Sequence, residues 1–158
     1  VKFIHKGYYD HMEESHELLA FYGNEKIWDI LAENPRNRVV VFGEQPEMLR
    51  FPCSTQSYTD IEGSGGNFNL SSSPEALADF FTFAGVDYIY LGSGYLKPGT
   101  DGFRNVTGLL KQGYLMDLLY ENGNGLAVFS SDPKNLTEEE SEALLAEFTE
   151  KYWPGEQQ

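Results

Sequence analysis

VDYIYLGSGYL, residues 86–96, decides how the rest of this chain is read. Asp87 to Leu91 reads as a buried strand: after Asp87 the run is uncharged, with two tyrosines, Ile89 and Leu91. That is the composition of a strand covered on both faces. Gly92-Ser93-Gly94 stops it. Just upstream, Ser72-Ser73-Pro74-Glu75 is a helix start: proline suits the first turn, and Glu75 closes a capping box with Ser72. Leu77, Phe80, Phe81 and Ala84 make the buried face of that helix, and Gly85 ends it. The unit is therefore helix, glycine stop, strand, glycine turn.

The same grammar extends outward. RVVVFG, residues 38–43, is a second buried strand stopped by glycine. Met48 to Phe51 reads as a short strand that Pro52 confines to an edge or an end. Residues 1–9 read as a connector from an upstream segment or as a strand, and residues 10–34 as a helical lead-in. Within the lead-in, Asp10 and Glu13 form a capping box. Asn24 caps a second helix with Ile27, Trp28, Ile30 and Leu31 inward. Residues 54–73 are polar and read as a long loop, as do residues 93–103. Val106, Leu109, Leu110, Leu115, Leu118 and Leu119 carry helical spacing, broken at Gly113. Asn122-Gly123-Asn124-Gly125 is a tight-turn signal before a last strand, Leu126 to Phe129. Thr137 and Glu140 box the start of an acidic helix with Leu144, Leu145 and Phe148 inward, ended by Pro154-Gly155.

Helices alternating with buried strands predict a single α/β domain over residues 1–158: a three-layer α/β/α sandwich with a mostly parallel central sheet, Rossmann-like or flavodoxin-like. The NGNG turn leaves room for an antiparallel edge strand. With 158 residues, 41% hydrophobic and 15% aromatic, the chain has enough apolar material for one core. No run approaches the roughly 18–20 apolar residues of a membrane span, and the first residues given show no charged-then-apolar signal-peptide pattern.

A formal net charge of −14 opposes phosphate backbones and anionic lipid headgroups, so neither nucleic acid nor direct membrane insertion is expected. Cys53 is the sole cysteine, which excludes an internal disulfide and a cysteine metal cluster. It lacks a nearby histidine or helix start to activate it and reads as a structural thiol. His5, His11 and His16 lie six and five residues apart, without the four-residue spacing of a helical zinc pair, so no metal is expected. Gly92-Ser93-Gly94 lacks the third glycine and the immediate helix of a dinucleotide fingerprint. Gly63-Ser64-Gly65-Gly66 is followed by Asn67-Phe68, not by the Lys and Ser/Thr of a P-loop. No G-x-S-x-G elbow occurs. No cofactor and no catalytic residue are assigned. Asn-x-Ser/Thr triplets fall at Asn69, Asn105 and Asn135.

In open α/β sheets, ligands sit beyond the carboxyl ends of the strands. Here those ends hold Glu44, the Ser93 and Tyr95 turn, and Asp132. Tyr58 and Asp60 of the long loop are placed to reach them. Tyrosine stacking plus carboxylate hydrogen bonds suits a sugar; ordinary polar loops with no ligand are the plainer reading.

The order of features resembles the C-terminal extracytoplasmic domain of polytopic bacterial membrane glycosyltransferases of the dolichyl-phosphate-mannose mannosyltransferase-like, GT-C type. The residues that carry the resemblance are the Asp10–Asn34 lead-in, RVVVFG, ALADFFTFAGVDYIYL and LLYENGNGLAVFS, although the last strand, GLAVFS, fits more loosely. The resemblance implies a non-catalytic domain that covers the active site or assists glycan or acceptor binding. It also implies tethering at the extracytoplasmic face of a bacterial membrane. Its partners would be the transmembrane portion of its own parent chain and a glycan or lipid-linked sugar. The family's catalytic acid lies between membrane helices and has no counterpart in this sequence. The alternatives are a free-standing cytosolic α/β protein that binds a small ligand or carries an unrecognised active site, and a purely structural or protein-interaction module.

Overall fold

Val39, Val40, Val41 and Phe42 are all at most 1% exposed, so strand β1 (Arg38–Phe42) lies at the centre of the molecule. The structure, a computed structural model, describes residues 24–43, 51–63 and 71–152. Helix α1 covers residues 24–32 of the described chain. After β1 come β2 (Ser54–Ser57), α2 (Tyr58–Gly63), α3 (Pro74–Ala84), β3 (Tyr88–Leu91), α4 (Asp101–Lys111), β4 (Leu115–Glu121), β5 (Asn124–Phe129) and α5 (Glu138–Tyr152).

The strands form one mixed sheet in the order β2-β1-β3-β5-β4. β1 pairs in parallel with β2 and β3, with Val39 opposite Tyr88 and Phe42 opposite Leu91. β5 is antiparallel to both β3 and β4. The α/β class and the buried strands at 38–42 and 88–91 agree with the sequence reading. The antiparallel strand does not sit at an edge: β5 lies inside the sheet and β4 takes the edge. Both sheet faces are apolar. Val40, Phe42, Ile89, Leu91 and Ala127 join residues of α3, α4 and α5 in the larger cluster. Val39, Val41, Tyr90 and Leu126 pack with Ile27 and Leu31 of α1 in the smaller one. The alternation along β1 is the ordinary two-residue period of a strand.

The helix ends follow their sequence signals with one shift. Ser73, not Ser72, caps α3: its Oγ accepts from the Ala76 amide at 3.0 Å. Glu75 instead accepts from Gln112 Nε2 at 2.7 Å. At α5 the capping box forms as expected: Thr137 Oγ1 accepts from the Glu140 amide at 3.1 Å, and Glu140 Oε1 accepts from the Thr137 amide at 2.9 Å.

Two segments differ from the reading. Residues 54–63 of the expected loop form β2 and α2. An outer strand needs no buried face, so polar Ser-Thr-Gln-Ser can pair with β1 and stay largely exposed. The rest of that loop, 64–70, lies outside the described residues. So does most of the strand expected at 48–51; Phe51 is in no strand and its ring packs 4.6 Å from Trp28.

The second difference is β4, which the leucine spacing assigned to helix. At Gly113 (φ +87°) the chain leaves α4, and a bulge then interrupts β4 between Met116 and Leu119, with Asp117 at φ +51°. The extra residue shifts the strand's alternation by one. Leu115, Leu118 and Tyr120 therefore reach the larger cluster, while Leu119 reaches the smaller. The bulge puts Leu115 and Leu118 on one face, and Leu119 on the other completes an i, i+3, i+4 leucine spacing that reads as a helix.

Candidate functional site

β1 continues into β2 on one side, while β3 continues into α4 and β4 on the other. The carboxyl ends of β1 and β3 therefore flank the point where strand order reverses. The backbone there is tight. The Gly92 amide donates to Phe42 O at 2.8 Å, and a Cβ on Gly92 would lie 3.2 Å from that same oxygen.

The Gly92-Ser93-Gly94 turn is held from four directions. Gly92 O accepts from the Tyr95 amide at 3.1 Å and from the Tyr152 hydroxyl. The Tyr152 oxygen in turn accepts from the buried Leu96 amide at 3.2 Å. The Ser93 amide donates to Asn124 Oδ1 at 2.8 Å. Asn124 Nδ2 donates to Asn24 Oδ1 at 2.9 Å, and that oxygen also accepts from the Tyr90 hydroxyl at 3.2 Å. The amides of residues 92, 93, 95 and 96 are thus all engaged within the protein. A phosphate cradle needs such amides directed at the ligand. This turn closes the sheet edge on itself.

Beside it, Glu121 at the end of β4 seals the start of α1. Its carboxylate accepts from the Lys26 amide at 3.0 Å and from the Ile27 amide at 3.2 Å. An anion at a helix N-terminus satisfies orphan amides and complements the dipole. The cap expected from Asn24 is therefore supplied from 95 residues away, and Asn24 serves the Tyr90–Asn124 junction instead.

The sequence-predicted site residues separate into groups. Ser93 is exposed on the turn, and half-buried Tyr95 shares a 2.7 Å hydroxyl hydrogen bond with Thr59. Asp60 is exposed on α2, next to Thr59. These three share the carboxyl edge. Tyr58 does not line a site: it is 1% exposed, its ring stacks 4.3 Å from Phe42, and its hydroxyl accepts from Asn105 Nδ2 at 3.1 Å. Asp132 lies at the opposite end of the sheet. It follows β5, which runs against β3, and its amide bonds to Ser130 Oγ at 3.1 Å. Glu44 lies outside the described residues. Asn105 is fully buried, with Nδ2 also donating to Ser71 O at 2.9 Å, so its triplet is closed to glycan attachment in the folded chain.

Sequence reasoning missed Asn24, Glu121, Asn124 and Tyr152. Asn24 was visible only as a helix cap and Asn124 only as a turn residue, because their partners lie 66, 100 and 31 positions away.

Burial pushes the Tyr90 and Tyr152 phenols up to about 12, and it raises Tyr120 as well, with Glu147 adding to that rise. Burial, helped by the Asp87 charge, pushes the Cys53 thiol up to about 11, so at neutral pH it is a poor nucleophile. Among the described residues no three His, Cys, Asp or Glu side chains gather to hold a metal ion. At the opposite sheet edge, a groove of about 290 Å³ is lined by Arg38, Thr55, Gln56 and Val86, beside Phe83, which is 88% exposed. No helix among the described residues is long and apolar enough to cross a membrane. No protein-family model, curated protein or solved structure matches the chain.

Proposed function

We propose that this chain is a non-catalytic α/β domain, a three-layer sandwich in full, carried at the extracytoplasmic face of a bacterial membrane by a GT-C-type glycosyltransferase-like parent. There it covers the active site or assists binding of a glycan or lipid-linked acceptor. One observation carries the reading: among the described residues at the sheet's switch point, the amides of residues 92, 93, 95 and 96 are bonded to the main chain, Asn124 and Tyr152. A scaffold fits that arrangement better than a nucleotide or phosphate enzyme does. The net charge of −14 supports a domain that stands off anionic headgroups. The Tyr95, Thr59 and Asp60 group offers a ring and a carboxylate to a sugar at the carboxyl edge.

The test is the reading frame upstream of Val1. Several apolar spans of about 20 residues in that frame are expected. A start codon immediately before Val1 would overturn the proposal in favour of a free-standing ligand-binding protein. The glycan role is tested separately by titrating the labelled chain with a polyprenyl-phosphate sugar and following amide shifts. Shifts at residues 59, 60 and 93–95 are expected, and silence there refutes a sugar site at this edge.

A further inference from the structure

The hairpin between β4 and β5 contains two consecutive Asn-Gly pairs, Asn122-Gly123 and Asn124-Gly125, in opposite environments. From this contrast we infer that Asn122 is a site of spontaneous backbone-mediated deamidation in the native protein, and that the fold protects Asn124 from the same chemistry.

In the reaction, solvent base removes the Gly123 amide proton and the nitrogen attacks Asn122 Cγ. A Cγ–N bond forms to Gly123, and the carboxamide C–N bond breaks with loss of ammonia. Water then opens the succinimide ring. Opening at Cγ gives aspartate with the original peptide link, and opening at the main-chain carbonyl gives isoaspartate linked through Cγ. The net change is carboxamide plus water to carboxylate plus ammonium.

Three features favour position 122. Asn122 is exposed. Gly123 has no side chain to shield its nitrogen, and among the described residues its amide makes no backbone hydrogen bond. Asn122 (φ +53°) and Gly123 (φ +82°) are the two central residues of the turn between Glu121 and Asn124, so the rotation that brings nitrogen to Cγ opens a turn and no strand. At 124 the exposure and the turn position are absent: Asn124 is half-buried and begins β5. Gly125 is buried within the sheet, opposite Leu91 on one side and Tyr120 on the other. Reaction there requires β5 to open. An isoaspartate at 122 adds a main-chain carbon to a two-residue turn that sets the Glu121–Asn124 register. The change therefore bears directly on the Asn124 and Glu121 contacts at the carboxyl edge.

The experiment is incubation of the whole chain in mildly alkaline buffer, native and in urea, followed by peptide mapping that separates aspartate from isoaspartate. Native protein is expected to convert Asn122 more than about tenfold faster than Asn124, because opening of the strand gates the second site. Unfolded chain should convert both at similar rates, and Asn122→Asp should abolish the native mass gain. Equal native rates at the two positions overturn the inference. So does a native chain left intact at 122 while the unfolded chain converts.

Discussion

Replacing Tyr152 with phenylalanine removes one oxygen from the carboxyl edge and leaves the ring in place. The ring stacks 5.0 Å from that of Phe148, and phenylalanine keeps that contact. Among the described contacts, the hydrogen bond that the hydroxyl donates to Gly92 O and the one it accepts from the Leu96 amide are lost. Gly92 O keeps the Tyr95 amide as a donor. The Leu96 amide is left without that acceptor in a residue 1% exposed. A lost hydrogen bond costs about 1 kcal/mol net, and orphaning a buried donor brings the total to about 2–3 kcal/mol. For a chain of this size, that lowers the melting temperature by roughly 4–12 °C. Urea unfolding followed by circular dichroism reads the change as a shift in midpoint at constant slope. Tyr95→Phe is the control: its bond to Thr59 is exposed, so its loss should cost under about 0.5 kcal/mol. If Tyr152→Phe costs no more than Tyr95→Phe, the turn is not held by the Tyr152 hydroxyl, and the closed-edge argument fails.

Three further outcomes follow from the same geometry. Glu121→Ala strips the cap from the Lys26 and Ile27 amides and should cost about 1 kcal/mol, measured by urea unfolding with Trp28 fluorescence as a local probe. Gly113→Ala places a Cβ 2.0 Å from Lys134 O at φ +87°; the clash is with backbone, so a loss of at least about 2 kcal/mol is expected in the same assay. Alkali should destabilise the protein. Tyr90 and Tyr152 titrate near 12 in the folded chain against an ordinary 10, so the native state holds protons the unfolded chain has lost. Their contribution is whole below about 10 and disappears as pH rises through about 12, and Tyr152→Phe should flatten that decline in a series of urea midpoints.

Local chemistry was legible in residue order alone. VVVF, after the exposed Arg38, and YIYL are strands because uncharged β-branched and aromatic side chains favour a sheet covered on both faces. The start of α5 is written in the Thr137–Glu140 pair, three residues apart, and that of α3 in Ser72-Ser73-Pro74, with the cap itself one residue later than read, on Ser73. Asn122-Gly123 marks its turn because few residue pairs accept two positive φ angles in succession. Only the tertiary structure decided the rest. β4 looks helical in sequence because a bulge at Asp117 moves its leucines by one register position, and a bulge exists only against a paired strand. The reversal of β5 carried Asp132 to the far edge of the sheet, since strand direction is a property of pairing. Tyr58 entered the core because Phe42 and Asn105 receive it there. The carboxyl edge is closed by Asn24, Glu121, Asn124 and Tyr152, whose contacts span from 31 to 100 residues of chain. Such contacts leave no local periodicity, because each residue's role is set by what folding brings beside it.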